Sequence, residues 1–216
     1  MQRSKCMRLT ERLYRSPLGR VMSTLAHAVA TMQRPFMVYG YRDPTTGQFR
    51  KWTRVSSTLV VMRKERLALG DHVWVWHHSI LDATEGLVIE EGVQIGAWVG
   101  IFTHGSENAV RLLGRQFVHI PNTERKGYTR GAVKIGAYSF IGAGAIILPG
   151  VTIGKGCLVG SGALVMHDLP DHAIAIGSPA RVKGSTTALD LRWCKRHDFA
   201  QTYYDPEVFA ALPQRE

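Results

Sequence analysis

The sequence predicts an all-β fold: a parallel β-helix of about four triangular coils with one protruding loop, and short helical segments at both ends. Three observations carry this. Ile135, Ile141, Ile147, Ile153, Val159 and Val165 recur at intervals of six. Each follows, two residues on, a second small or apolar side chain: Val133, Ser139, Ala145, Val151, Cys157 and Ala163. Gly136, Gly142, Gly154 and Gly160 come directly after the aliphatic position, where glycine predicts a corner needing backbone freedom that a Cβ would restrict. A helical period of 3.6 and a strand period of 2 both fail to produce this beat.

Six residues make one side of a triangular prism, so three sides return the chain to its start one layer on, and equivalent positions stack. The same template fits Leu69, Val75 and Leu81, with inner partners Leu67, Val73 and Ser79. After two extra residues it resumes at Ile89, Ile95 and Ile101, with Leu87, Val93 and Val99. The beat then breaks. Its next position falls on Glu107, and the inner pattern returns only at Val133 and Ile135, which makes 105–132 an excursion from the prism wall. Long irregular insertions in compact domains are commonly functional.

The coil domain is thus predicted over 67–183. Before it, 1–66 reads as a basic N-terminal helix to about Met32, then two strand-like runs turning at Asp43, Pro44 and Gly47. After it, 184–216 reads as a "GSTTA" linker and a tail whose Asp205 and Pro206 start a short helix.

Composition narrows the function classes. The formal charge of +10 over 216 residues raises nucleic acid as a partner, but no zinc pattern, RNA-stacking motif or lysine-rich tract accompanies it. Basic residues instead gather at the ends, in Arg3, Lys5, Arg8, Arg12, Arg15 and Arg20, and in Arg192, Lys195 and Arg196. Two readings fit: a solvated face, or attraction to an anionic membrane surface or a phosphate-bearing glycolipid. Cys6, Cys157 and Cys194 have no paired spacing, which argues against a disulfide scaffold, and Cys157 falls on an inner position of the repeat. No apolar run approaches the roughly 18 residues of a membrane helix, and "LAHAVA" is too short for a secretory core. The expected location is cytoplasmic, with a peripheral membrane contact through the basic N-terminal segment as an option.

The runs "IGAYSFIGAGAIILPGVTIGKG" and "VGSGALVMHDLPDHAIAIGSPARV" resemble the hexapeptide-repeat acetyltransferases, and "GIFTHGSENAVRLLG" is most similar to their sugar and polysaccharide O-acetyltransferase branch. The resemblance covers roughly 67–183. It implies a left-handed coil, a homotrimer with active sites between subunits, acetyl-CoA as co-substrate and no metal.

It also implies site residues. His104, at the root of the excursion, matches the family's general base. An imidazole with an ordinary pKa near ~6.5 suits the deprotonation of a sugar hydroxyl. His119, inside the loop, is the next candidate. Because Leu81 and Ile101 occupy equivalent positions of consecutive coils, Asp82 and Glu85 are neighbours of His104, with Asp82 first as the group that holds its tautomer; Glu107, Asn108 and a backbone carbonyl are alternatives. For the pantetheine arm the resemblance points to Gly142 and Ala143 and, one coil later, to Gly160 and Ser161. Met166 and His167 stand where the family has a polar residue and a lysine. Arg181 and Lys183 are candidates for the nucleotide phosphates. Asn108, Arg111, Tyr128 and Arg130 are candidates for the acceptor.

The expected activity is acetyl transfer to a hydroxyl of a sugar or glycolipid in surface-polysaccharide biosynthesis. Three alternatives stand beside it: N-acetylation of an amino sugar, a noncatalytic scaffold, and a zinc carbonic anhydrase of the same prism using the His167 and His172 pair. Catalytic zinc requires three protein ligands and an open position, and no third histidine matches in height.

Overall fold

A computed structural model of the chain describes residues 16–32, 34–194, 196–197, 199 and 201–212. Arg3, Lys5, Cys6, Arg8, Arg12, Arg15 and Lys195 lie outside these. The chain divides into two units, 1–36 and 37–216. In the first, α1 (Pro17–Met32) starts at Ser16, whose hydroxyl accepts the Gly19 N–H. Leu18, Val21, Met22, Leu25 and Val29 form an exposed stripe at helical spacing along it.

The second unit opens with a hairpin. β1 (Met37–Arg42) and β2 (Phe49–Ser56) pair antiparallel around a turn in which Asp43 accepts the Thr45 and Thr46 N–H groups. The chain then winds through three parallel sheets. Sheet A stacks β2, β5 (Trp74–Val75), β8 (Gln94–Ile95), β13 (Phe140–Ile141), β16 (Leu158–Val159) and β18 (Ala173–Ile176). Sheet B stacks β3 (Val60–Met62), β6 (Ile80–Asp82), β9 (Gly100–Ile101), β14 (Ile146–Ile147) and β17 (Leu164–Val165). Sheet C stacks β4 (Leu67–Leu69), β7 (Leu87–Ile89), β12 (Val133–Ile135) and β15 (Thr152–Ile153). Each turn of chain visits A, B and C in order, which is the prism the six-residue beat predicts.

Both members of every predicted inner pair are buried, from Leu67 to Val165. Each fully buried Leu, Ile or Val contributes about 1.5–3 kcal/mol of apolar transfer. The stacked column therefore holds the coil together, with Tyr41, Val55, Leu59 and Val61 packed against it upstream and Ala180 downstream. The buried hydroxyls of Ser79 and Ser139 donate to the carbonyls of Gly96 and Gly154, so small polar residues fit inner positions at no desolvation loss.

Three readings of the sequence are corrected. Parallel stacking begins upstream of Leu67, because Arg54 and Val55 pair with Trp74 and Val75, and Val60–Met62 pairs with Ile80–Asp82. The "GSTTA" stretch is no linker: β19 (Arg181–Ser185) folds back antiparallel on β18, and α2 (Thr186–Cys194) starts immediately after. The corner glycines have a different reason. None of Gly136, Gly142, Gly154 and Gly160 adopts positive φ. A Cβ on Gly142 would lie 2.5 Å from the Ser161 amide nitrogen, and one on Gly136 2.5 Å from that of Lys155, so glycine permits the close approach of stacked corners. The predicted start of the tail helix α3 (Pro206–Ala211) is as expected, with Asp205 accepting the Glu207 and Val208 N–H groups.

Candidate active site

The excursion leaves the coil at the corner between sheets B and C. Its two ends close as a short antiparallel ribbon, β10 (His104–Gly105) with β11 (Thr129–Arg130). Between them lie a short helix, Ala109–Leu113, and a 3-10 turn, Gly114–His119. The ribbon fixes His104 between the rigid wall and the loop.

Beneath it lies Asp82, whose side chain is fully buried. His104 Nδ1 is 2.7 Å from Asp82 Oδ2. The same oxygen accepts the Thr103 N–H at 2.9 Å and the Thr103 hydroxyl at 3.0 Å, and Oδ1 accepts the Thr84 N–H at 2.9 Å. Burial alone pushes a carboxyl upward, but donors from Thr84, Thr103 and His104 outweigh it and draw Asp82 down to about 2. The carboxylate is therefore charged and can only accept. It holds the proton of His104 on Nδ1 and leaves a lone pair on Nε2.

The imidazole lines a cleft of about 360 Å³ together with Arg63, Glu65, Arg66, Thr84, Glu85, Asn122, Thr123, Tyr128 and Arg130. The Tyr128 ring stacks parallel to it with centroids 6.1 Å apart, and Phe117 stacks parallel to Tyr128 at 6.2 Å. Arg130 pairs with Glu85 and covers the Tyr128 ring. This arrangement can take a proton from a hydroxyl in the cleft and pass it on.

The structure brings together His104, Asp82, Tyr128 and Arg130 of the predicted set. It does not bring Asn108 and Arg111 to the cleft: the turn into the Ala109 helix points them at each other, with Arg111 donating to Asn108 Oδ1 and to the Glu107 carbonyl. His119 ends the 3-10 turn and is likewise absent from the lining. Glu107 is held by the Thr129 hydroxyl and Glu85 by Arg130, so neither competes with Asp82 for the imidazole.

Gly142, Ala143, Gly160 and Ser161 occupy another edge of the prism, the corner between sheets A and B, where they stack directly. Met166 and His167 follow β17, on the edge shared with His104 rather than with the glycine pairs. Arg181 and Lys183 lie on β19 beside sheet A. His172 bonds Tyr204 through Nδ1 at 2.8 Å, and among the described residues no three His, Cys, Asp or Glu side chains converge as a metal site.

Sequence reasoning missed Thr103, Arg63 and Arg66. Thr103 carried a signal: it continues the inward alternation of Val99 and Ile101, and a hydroxyl buried there requires a partner. Arg63 and Arg66 precede the first recognised beat and carried none.

Residues 132–167 match the family model described as bacterial transferase hexapeptide (six repeats). Those residues, the downstream part of the coil, thus carry the hexapeptide repeat that this model describes. The chain is 39% identical over 120 residues to nodulation protein L of Rhizobium meliloti (strain 1021), covering 55% of this chain and 59% of that one. It is 36% identical over 126 residues to probable serine acetyltransferase 2 of Oryza sativa subsp. japonica, covering 58% and 32%. The match spans less than two thirds of either relative. A solved variant of AntD, an N-acyltransferase from Bacillus cereus in complex with dTDP and coenzyme A, shares the fold, with a TM-score of 0.50, 23% identity, and 67% and 88% of the two chains covered.

Proposed function

We propose that the protein is an acetyl-CoA-dependent O-acetyltransferase acting on a hydroxyl of a sugar or glycolipid used in surface-polysaccharide biosynthesis. One observation carries the reading: an imidazole with its Nδ1 proton fixed by a buried carboxylate faces a cleft large enough for a sugar unit. Nε2 of His104 takes the acceptor hydroxyl proton as the oxygen attacks the thioester carbonyl carbon. The tetrahedral intermediate collapses, the C–S bond breaks, and His104 returns the proton to the departing sulfur.

The reading extends to a homotrimer with the co-substrate between subunits. In one chain the stacked glycine corners and His104 stand on the two edges that border sheet B. The outward ladder of that sheet is apolar throughout: Val60, Ile80, Gly100, Ile146 and Leu164 pair in register. Sheet C by contrast carries Lys134 and Thr152 outward. Packing sheet B around a threefold axis sets the glycine corner of one subunit against the His104 corner of the next, with small residues admitting the pantetheine chain. The exposed stripe of α1, with the basic residues of the N-terminal segment, fits an acceptor held at the inner face of a membrane.

The O-transfer claim is tested with amino-blocked and hydroxyl-blocked sugars. Acetylation is expected to survive amino blockade and to vanish on hydroxyl blockade. The reverse pattern establishes the alternative, N-acetylation.

A further inference from the structure

The cleft beside His104 holds one cation that its own carboxylates do not neutralise. Arg130 is paired with Glu85 and also donates to the Asn122 carbonyl. Arg63 Nη1 lies 3.7 Å from Glu65 Oε1, with both side chains more than half exposed, so that pair is weak and readily opened. Arg66 differs. Its Nη1 donates to the Thr84 carbonyl at 2.6 Å, which anchors the side chain to the corner carrying Asp82. Among the described residues no carboxylate lies within ion-pair distance of it, and its Nε and Nη2 make no hydrogen bond. The negative charge of Asp82 is buried and taken up by Thr84, Thr103 and His104.

Position along the coil separates this cation from the thioester. Sheet B runs β17-β14-β9-β6-β3. His104 follows β9, the glycine corners precede β14 and β17 on one side of it, and Arg63 and Arg66 follow β3 on the other. Whatever meets Arg66 therefore lies on the acceptor's side of the imidazole. The net charge of +10 favours the approach of anions to such a cleft.

We infer that the acceptor carries an anionic group, a carboxylate or a phosphate, and that Arg66 binds it and sets acceptor specificity, with Arg63 available beside it once released from Glu65. The inference rests on the acetyl-transfer reading for what the cleft is for. A guanidinium with free donors matches either anion bidentately, and a neutral sugar leaves that donor pair unmatched.

The test uses the full chain saturated with CoA and matched probes: gluco-, galacto- and manno-configured neutral sugars, their uronates and their 1-phosphates, with binding followed by saturation-transfer NMR. At least one anionic probe is expected to bind about tenfold or more tighter than its neutral partner. Arg66→Gln removes that preference, Arg66→Lys restores part of it, and CoA affinity stays unchanged in both. Uronates and 1-phosphates tell carboxylate from phosphate. The inference is overturned if neutral and anionic partners bind alike, if the preference survives Arg66→Gln, or if none of the probes binds. Acetyl transfer is followed in parallel. Transfer without any anionic preference sinks this inference alone, and anionic preference without transfer sinks the proposed activity alone.

Discussion

His104 Nδ1 and Asp82 Oδ2 lie 2.7 Å apart although the residues are 22 apart in the chain. The contact follows from the winding. Leu81 and Ile101 are in register on sheet B, so the residues just after them meet at one corner. A repeat that looks purely structural thereby brings an imidazole against a buried carboxylate.

Replacing Asp82 by Asn removes the charge that fixes the imidazole tautomer while keeping the side chain's shape. Turnover is expected to fall on the order of 10²-fold, with CoA binding by calorimetry unchanged. Asp82→Ala also strands the Thr84 and Thr103 donors in a dry corner and is expected to cost about 3 kcal/mol of stability in denaturant titration. Full turnover in the Asn variant would show that the carboxylate does not orient the base.

Asp82 also predicts an acid response. Its carboxyl titrates near 3.8 in the unfolded chain and near about 2 when folded, so the unfolded chain takes up the proton first. The stabilisation is complete above about pH 4 and is lost as pH falls towards 2, on the order of 2 kcal/mol in all. The gap in melting temperature between wild type and Asp82→Asn should therefore be wide at pH 7 and narrow at pH 2.5. A gap independent of pH would mean that the folded carboxyl is not depressed.

Ile80 and Ile146 are exposed on the outward ladder of sheet B. Ile80→Glu and Ile146→Glu are expected to leave the circular dichroism spectrum intact, convert a trimer to monomers in sedimentation, and abolish turnover. Unchanged assembly would move the subunit interface to another face.

The coil was legible because inner positions recur with six-residue spacing and stack identical apolar side chains. Its upstream start was not, since "FRKWTRVS" and "VVM" join sheets A and B without the glycine punctuation. His104 was legible through the family resemblance and the broken beat, and Asp82 as its neighbour through stacking, a relation the period itself fixes. Asn108 and Arg111 looked equally placed by proximity in sequence, yet a helix of five residues turned them aside. Arg66 could not have been found, because its approach to Thr84 depends on where an unrecognised strand, β3, joins the wall.

The most direct test of the account is acetyl-CoA turnover, read as released thiol, by wild type and His104→Ala on a mixed pool of cell-surface glycan precursors, beside CoA binding measured by calorimetry. The account predicts normal CoA binding by both proteins and a loss of turnover in the variant on the order of 10²-fold or more. Equal turnover by both would contradict it and make His104 only a corner residue.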